Sequence, residues 1–331
     1  MENVRAPLTL LEAVQFFADP DRALRFMVDV RWPNGVTCPT CGASDVTFLK
    51  TRRLWKCRNT HPKRQFSVKV GTVMEDSAIS LEKWLPAMWM IANCKNGISS
   101  YELARDLKVT QKTAWFMLHR IRLAMQEGSG KLGGHGHTVE VDETWIGGKA
   151  RGLTKGIRRK RNQGHKQGPY KYSGKAIVLG MLQRGGRVRL RVVPDVRGGT
   201  LVPHIREHVA KGTEVHTDQH SGYESLNPHH RDNVQGGGFE HKVVNHAVEY
   251  VNGNVHTNNL ENFWSLLKRG IRGTYVSVEP FHLFRYLDEQ AFRFNERKDN
   301  DRGRFVRVAA AVFGRRLTYK QLTAVDALAT T

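Results

Sequence analysis

The chain has 331 residues, 52 of them Lys or Arg against 31 Asp or Glu, for a formal charge of +21. That length allows two or three domains with at least one substantial core. The basic excess is too large for an ordinary metabolic enzyme and implies a polyanionic partner. No stretch approaches the roughly 20 apolar residues of a bilayer span, and none near the start has the basic, apolar, small-residue order of a signal peptide, so nucleic acid is favoured over a membrane surface.

Two apolar-periodic segments, TLLEAVQFFA and ALRFMVDVRW, come first, separated by the break ADPD. VTCPTCGASDVTFLKTRRLWKCRNTHPKRQFSVKVGTVM follows, with short β-rich pieces and two knuckle-like turns. Four cysteines in a chain this long do not make a disulfide framework, and a CxxC here reads as metal chemistry. Cys38, Cys41 and Cys57 offer thiolates and His61 a fourth ligand, an accepted tetrahedral zinc set. A ribbon this small cannot fold on its own core, so one structural Zn²⁺ is expected. Cys94 reads as a buried small apolar residue. Basic and aromatic residues alternate through the ribbon (Arg52, Arg53, Trp55, Lys56, Arg58, Phe66), which suits contact with DNA.

Residues 80 to 92 read as one helix. In NGISSYELARDLKVTQKTAWFMLHRIRLAMQEG, a short helix over YELARDL, a tight turn and a longer helix with a polar front give the pattern of a helix-turn-helix. Gln111, Lys112 and Arg120 are its candidate DNA-contacting side chains. After a glycine-rich linker the texture becomes strand, strand, strand, helix, strand and a later helix, which describes a mixed α/β domain with a central sheet. Residues 144 to 194 hold no Asp or Glu, and 147 to 175 carry ten Lys or Arg among seven Gly. Such a segment repels itself and needs an anion to settle, so it reads as a phosphate-binding arm that includes Arg158, Arg159, Lys160 and Arg161.

VHTNNLENFWSLLKRG, residues 255 to 270, predicts a helix with Leu260, Phe263, Trp264 and Leu267 on its apolar stripe and Glu261 and Lys268 two turns apart at the stripe's edge. Asn258 as cap and Glu261 as a capping-box acid is the plain reading of those residues alone. The rest of the chain changes it. Asp142 falls mid-strand in TVEVDETWIGG, Asp218 ends the strand of TEVHTDQHSGYESL, and Glu261 opens this helix. Phosphoryl transfer on DNA needs an activated attacking oxygen, a stabilised leaving oxygen and neutralised charge, which two divalent cations provide together. Hard Mg²⁺ or Mn²⁺ prefers carboxylate oxygens. Asp142 would bridge the pair, Asp218 and Glu261 would hold one ion each, and Lys268 would steady a phosphate.

The order of ribbon, helix-turn-helix, VEVDETWIGG, HTDQHSGY and HTNNLENFWSLLKRGIRGTY, closing with HLFRYLDEQAFRFNER, resembles the zinc-ribbon-bearing DDE transposases of bacterial insertion sequences, from about Cys38 to Arg297. The resemblance implies an RNase H-like catalytic domain in which Asp142, Asp218 and Glu261 match the metal-binding acids and Lys268 the trailing lysine. It implies binding of double-stranded DNA at the element's terminal inverted repeats, 3′-end cleavage, transfer of the freed 3′-hydroxyls to target DNA, and a homodimer or larger synaptic complex. The family's ribbon ends in a second CxxC, where this chain has CRNTH.

The expected organisation is N-terminal helices over 1–30, a zinc ribbon over 31–75, a helix-turn-helix region over 76–127, a linker over 128–137, the catalytic domain over 138–300 with the insertion 147–175, and a C-terminal helix and tail over 301–331. Location in the bacterial cytoplasm on the nucleoid follows as an expectation. Glu140 shares the face of Asp142, and Glu143 points to the other. His204 and His208 read as a solvated helix face without a third ligand, and His216, His220 and His256 as structural hydrogen-bonders. Trp145 and Trp264, near the acids, are candidates for stacking on a base. Two other functions share these features. One is a DNA-binding regulator with an inert C-terminal domain, the other a structure-selective nuclease that cuts without joining.

Overall fold

The computed structural model describes residues 6–126, 128, 130–147, 175–227, 238–244 and 256–324. These divide into two compact units, one formed by residues 1–126 with 296–331 and the other by 127–295.

The first unit opens with helices α1 (Leu10–Phe17) and α2 (Pro20–Arg31). Asp19 caps α2 by accepting from the N–H groups of Asp21 and Arg22, and Pro20 supplies the fixed φ of a first helical turn. A three-stranded antiparallel ribbon follows, β1 (Val46–Leu49), β2 (Leu54–Cys57) and β3 (Gln65–Phe66). Helix α3 (Leu81–Asn93) is buried almost all round. Helices α4 (Ser100–Leu107) and α5 (Gln111–Met125) match the expected pair. A capping box between Ser99 and Glu102 starts α4, and the Thr110 hydroxyl caps α5.

The second unit contains β4 (Leu132–Gly133), β5 (Thr138–Ile146), β6 (Ala176–Gln183), β7 (Val188–Val193), α6 (Gly198–His208), β8 (Val209–Ala210), β9 (Glu214–Asp218), β10 (Glu240–Val244), α7 (Asn258–Gly270) and α8 (Leu283–Asn295). Its main sheet runs β10-β9-β5-β6-β7. The three strands β5, β6 and β7 pair antiparallel, whereas β9 lies parallel to β5 and β10 parallel to β9. Strand β10 is a member of the sheet that sequence reading missed.

Both faces of this sheet are covered. Val139, Val141, Ile177, Leu179, Met181 and Val193 pack with Leu201, Val202 and Ile205 of α6. Val178, Leu182, Val188 and Leu190 pack with Leu260, Phe263, Trp264 and Leu267 of α7 and with Leu283 and Leu287 of α8. A strand buried on both sides loses polar–apolar alternation, which is why AIVLGMLQ reads as solidly apolar.

The chain then returns to the first unit as α9 (Asp301–Ala310) and α10 (Tyr319–Thr323). Phe305 of α9 is fully buried and packs against Phe17, Phe26 and Trp89. This helix is therefore part of the N-terminal unit's core. Among the described residues no helix is long and apolar enough to cross a membrane.

Candidate active site

The ribbon gathers its four expected ligands. The Sγ atoms of Cys38, Cys41 and Cys57 and a His61 ring nitrogen all lie within 4.8 Å of one another. Cys38 Sγ is 3.4 Å from His61 Nε2, and Cys41 Sγ is 3.6 Å from Cys57 Sγ. Zinc bonds of about 2.3 Å to sulfur at tetrahedral angles set ligand-to-ligand edges of roughly 3.8 Å, so the donor set fits one zinc ion. Burial opposes ionisation of Cys38, but the backbone N–H groups of Cys41 and Thr40 bring its pKa down to about 6. That favours the thiolate, the form that binds metal. CRNTH therefore supplies its fourth donor through His61.

Helices α4 and α5 separate the three candidate DNA residues. Arg120 is corrected. It is only 7% exposed, its Nε donates to Leu317 O and its Nη1 to Glu75 O, both at 3.0 Å, and its guanidinium lies 4.2 Å from the Phe116 ring centre. It ties the N-terminal unit together and faces no groove. Gln111 donates from its amide to Ser100 Oγ at 2.8 Å, joining α5 to α4. Lys112 is exposed, with its ammonium 4.8 Å from the Tyr319 ring. Arg158, Arg159, Lys160 and Arg161 lie outside the described residues.

Asp142 lies on the central strand β5, Asp218 ends its neighbour β9, and Glu261 lies on α7. The parallel register pairs Glu140 with His216, so Asp142 and Asp218, each two residues further along its strand, fall on the same face. Burial drives the Asp142 pKa up to about 7, with the charges of Glu143 and Asp218 adding to it. Only the Trp264 indole works strongly the other way, donating from Nε1 to Asp142 Oδ2 at 2.8 Å.

Trp264 is thus corrected from a base-stacking candidate. It is 4% exposed and packs against β6, where a Cβ on Gly180 would stand 2.6 Å from its ring. Gly180 is paired directly with Asp142 across β5 and β6. The glycine makes room for the indole, and the indole reaches the acid. A lone glycine in a solidly apolar strand was the available signal for such a close approach.

That contact also orients α7. Glu261, Trp264 and Lys268 follow at i, i+3 and i+7, so they form one row along the helix. Trp264 and Lys268 of this row both interact with Asp142. Glu261 is exposed in the first turn of α7. Lys268 lies close enough to Asp142 for the carboxylate to support its charge, while burial and Arg272 lower its pKa. The three acids do not form a group with all ligand atoms within 4.8 Å. Flanking ligands of two ions about 3.5–4 Å apart would themselves be separated by more than that, because each metal–oxygen bond adds about 2 Å.

The cap of α7 differs from the sequence reading. Thr257 is the N-cap and makes no side-chain cap bond. The carboxylate that meets the first turn comes from Glu140, which accepts from the Leu260 N–H at 3.0 Å. Glu143 does face the other way, accepting from the Tyr223 hydroxyl at 2.5 Å.

Three of the histidines have local partners. His220 accepts from the Gly222 N–H, His256 lies 3.4 Å from Glu140, and His216 is bonded to Glu214. His204 and His208 do have a third potential ligand nearby, Glu207. However, Arg191 and Arg189 approach the two ring nitrogens of His208 at 3.1 and 3.3 Å, so a cation is disfavoured there.

Residues 131–295 match the ISXO2-like transposase domain family, and residues 19–59 match a transposase zinc-ribbon domain. The second match stops short of His61, whose place beside the thiolates is a feature of the three-dimensional structure. A protein of Halobacterium salinarum described as an uncharacterized protein in transposable element ISH50 is 26% identical over 262 residues, covering 77% of this chain and 84% of that one. An uncharacterized transposase-like protein of Haemophilus influenzae is 32% identical over 104 residues, covering 31% of this chain and 77% of that protein.

Proposed function

Given that the chain belongs to the ISXO2-like transposase family, we propose that it binds the terminal repeats of a mobile element, cuts their 3′ ends and joins them to target DNA. The strand order β10-β9-β5-β6-β7, antiparallel on one side and parallel on the other with helices on both faces, supports reading residues 138–300 as RNase H-like. The order of α4, turn and α5 supports the helix-turn-helix reading of 76–127.

Asp142, Asp218 and Glu261 would hold two Mg²⁺ or Mn²⁺ ions. Burial raises the Asp142 pKa and the charges of Glu143 and Asp218 add to it, and a bound cation would offset both. Bound there, the two ions would supply an activated attacking oxygen and charge neutralisation at the phosphate. Trp264 holds the Asp142 carboxylate in one orientation. Lys268, on the same row as Glu261, is placed to steady a phosphate oxygen, and Lys112 with the basic insertion would hold the duplex backbone. Two ends must be held together for joining, so the working form is a homodimer or larger assembly.

The observation that supports this reading is the Trp264–Asp142 bond, made by a residue one turn along α7 from Glu261. The test is incubation of the full chain with Mg²⁺ and a labelled duplex bearing the element's end sequence, with Asp142→Ala alongside. Cleavage followed by joining, lost in the variant, is the expected result. Cleavage without joining would replace transposition by a nuclease. DNA binding with no cleavage would leave a regulator.

A further inference from the structure

Strand β5 carries three carboxylates within four residues, and only the middle one is assigned to the reaction. The outer two are buried, Glu140 at 0% and Glu143 at 7% exposure. A buried carboxylate needs a full set of donors, and the donors each has found are informative.

Glu140 Oε1 accepts from Arg184 Nε at 2.8 Å and from Asn259 Nδ2 at 2.7 Å, and Oε2 accepts from the Leu260 N–H. Asn259 and Leu260 are the two residues before Glu261. Arg184 Nη2 also donates to His256 O at 2.8 Å, just ahead of α7, and lies 3.2 Å from His216 Nδ1. His216 Nε2 is bonded in turn to Glu214 at 2.5 Å. One carboxylate thus gathers the entry to α7, the neighbouring strand β9 and the turn that follows β6.

On the opposite face, Glu143 accepts from Tyr223. Tyr223 belongs to the 3-10 turn Ser221–Leu226, which begins three residues after Asp218. That turn is latched by the His220 N–H donating to Asp218 Oδ1 at 3.2 Å.

We propose that Glu140 and Glu143 are positioning residues for the acid site, each tying to β5 the element that delivers one of the other two acids. Glu140 sets the place of Glu261 relative to Asp142, and Glu143 through Tyr223 sets that of Asp218. This rests on the two-cation reading above and deepens it. Glu140 is no cation ligand itself, since it is shut from solvent behind the first turn of α7 with both oxygens engaged by donors. A glutamine there keeps the shape but not the function, because its NH₂ group would face another donor whichever way it turns.

The test is Mn²⁺ binding to the zinc-loaded full chain by calorimetry, with thermal unfolding measured on every variant. Glu140→Gln is expected to weaken Mn²⁺ binding by about 10–100-fold, the usual effect of losing an outer partner of a metal ligand. Tyr223→Phe and Asn259→Ala each remove one bond and are expected to weaken it on the order of fivefold, the equivalent of one net hydrogen bond. These two carry the test should Glu140→Gln fail to fold. Leu287→Ala, a core cavity in α8, is expected to lower stability and leave Mn²⁺ affinity unchanged.

Wild-type affinity in Glu140→Gln, or in both smaller variants, overturns the proposal while Asp142→Ala still abolishes binding. Equal weakening in Leu287→Ala overturns it as well, since a looser domain would then suffice. Undiminished Mn²⁺ binding in Asp142→Ala would instead remove the two-cation reading beneath it.

Discussion

The ribbon and the acid site hold their candidate metal ligands by opposite means. Cys38, Cys41, Cys57 and His61 lie within 24 residues of sequence, on turns and a strand end that the three short strands hold together. Asp142, Asp218 and Glu261 come from a central strand, its parallel neighbour and a helix, and buried side chains tie the strand to the helix. In the ribbon a zinc ion would substitute for a core. At the acid site a core exists first, and burial, more than the neighbouring charges of Glu143 and Asp218, raises the Asp142 pKa. Each site should therefore fail in its own way.

The largest effect belongs to the ribbon. Cys57→Ser should lose the zinc and with it an apparent stabilisation of about 10–16 kcal/mol for that module. The readouts are metal content and rapid proteolysis within residues 31–75, with Mn²⁺ affinity at the acids within about twofold of wild type. A fall in Mn²⁺ affinity matching that of Asp142→Ala would break the contrast.

Gly180→Ala probes the acid site's dependence on its core. Because the new Cβ meets the Trp264 ring at 2.6 Å, the indole must shift, at a cost of about 1–3 kcal/mol. Thermal unfolding should report that loss, and cleavage should fall further than stability does. Zinc content should not change.

A third experiment uses acid. Burial, then Arg191, holds His208 down to about 4 from an ordinary value of 6.5. Its unfolded form binds a proton between those values while the folded form does not. The stability it contributes is therefore complete above pH 6.5 and is lost as pH falls towards 4. His208→Gln should flatten that part of the wild-type curve, by on the order of 2 kcal/mol over the window. An unchanged slope in urea denaturation between pH 7 and 4.5 would show that His208 is not kept neutral.

The smallest effect separates two cations on α5. Lys112→Ala should leave stability unchanged and lower the salt dependence of DNA binding by about one counterion. Arg120→Ala should destabilise the N-terminal unit with no change in that slope, since its guanidinium serves Leu317 and Glu75.

Much of this was legible beforehand where the code is local. Helices α3, α4 and α5 announced themselves through periodicity and capping residues, and the ribbon through cysteine spacing. The apolar stripe of α7 is buried as its wheel predicted. Arg120, by contrast, looked like a recognition residue because a basic side chain on a second helix is indifferent in sequence to what packs over it. Leu317 and Glu75 lie 197 and 45 residues away. The cap of α7 was misassigned for the same reason, as an acid 120 residues upstream in β5 does what Asn258 and Glu261 were expected to do.

By itself the sequence determined what is set by composition and short spacing: a basic chain with a thiolate-rich ribbon, a pair of helices beyond it and three acids on separate elements. Tertiary structure decided which carboxylate of VEVDET faces its partners and which two are buried as anchors. It also decided that an indole and a glycine bring α7 to the strand, and that a late helix completes the first unit's core. The physical reason is that periodicity specifies only the face on which a side chain lies. The occupant of that face is chosen by packing between residues distant in sequence, where burial makes every unpaired polar group costly.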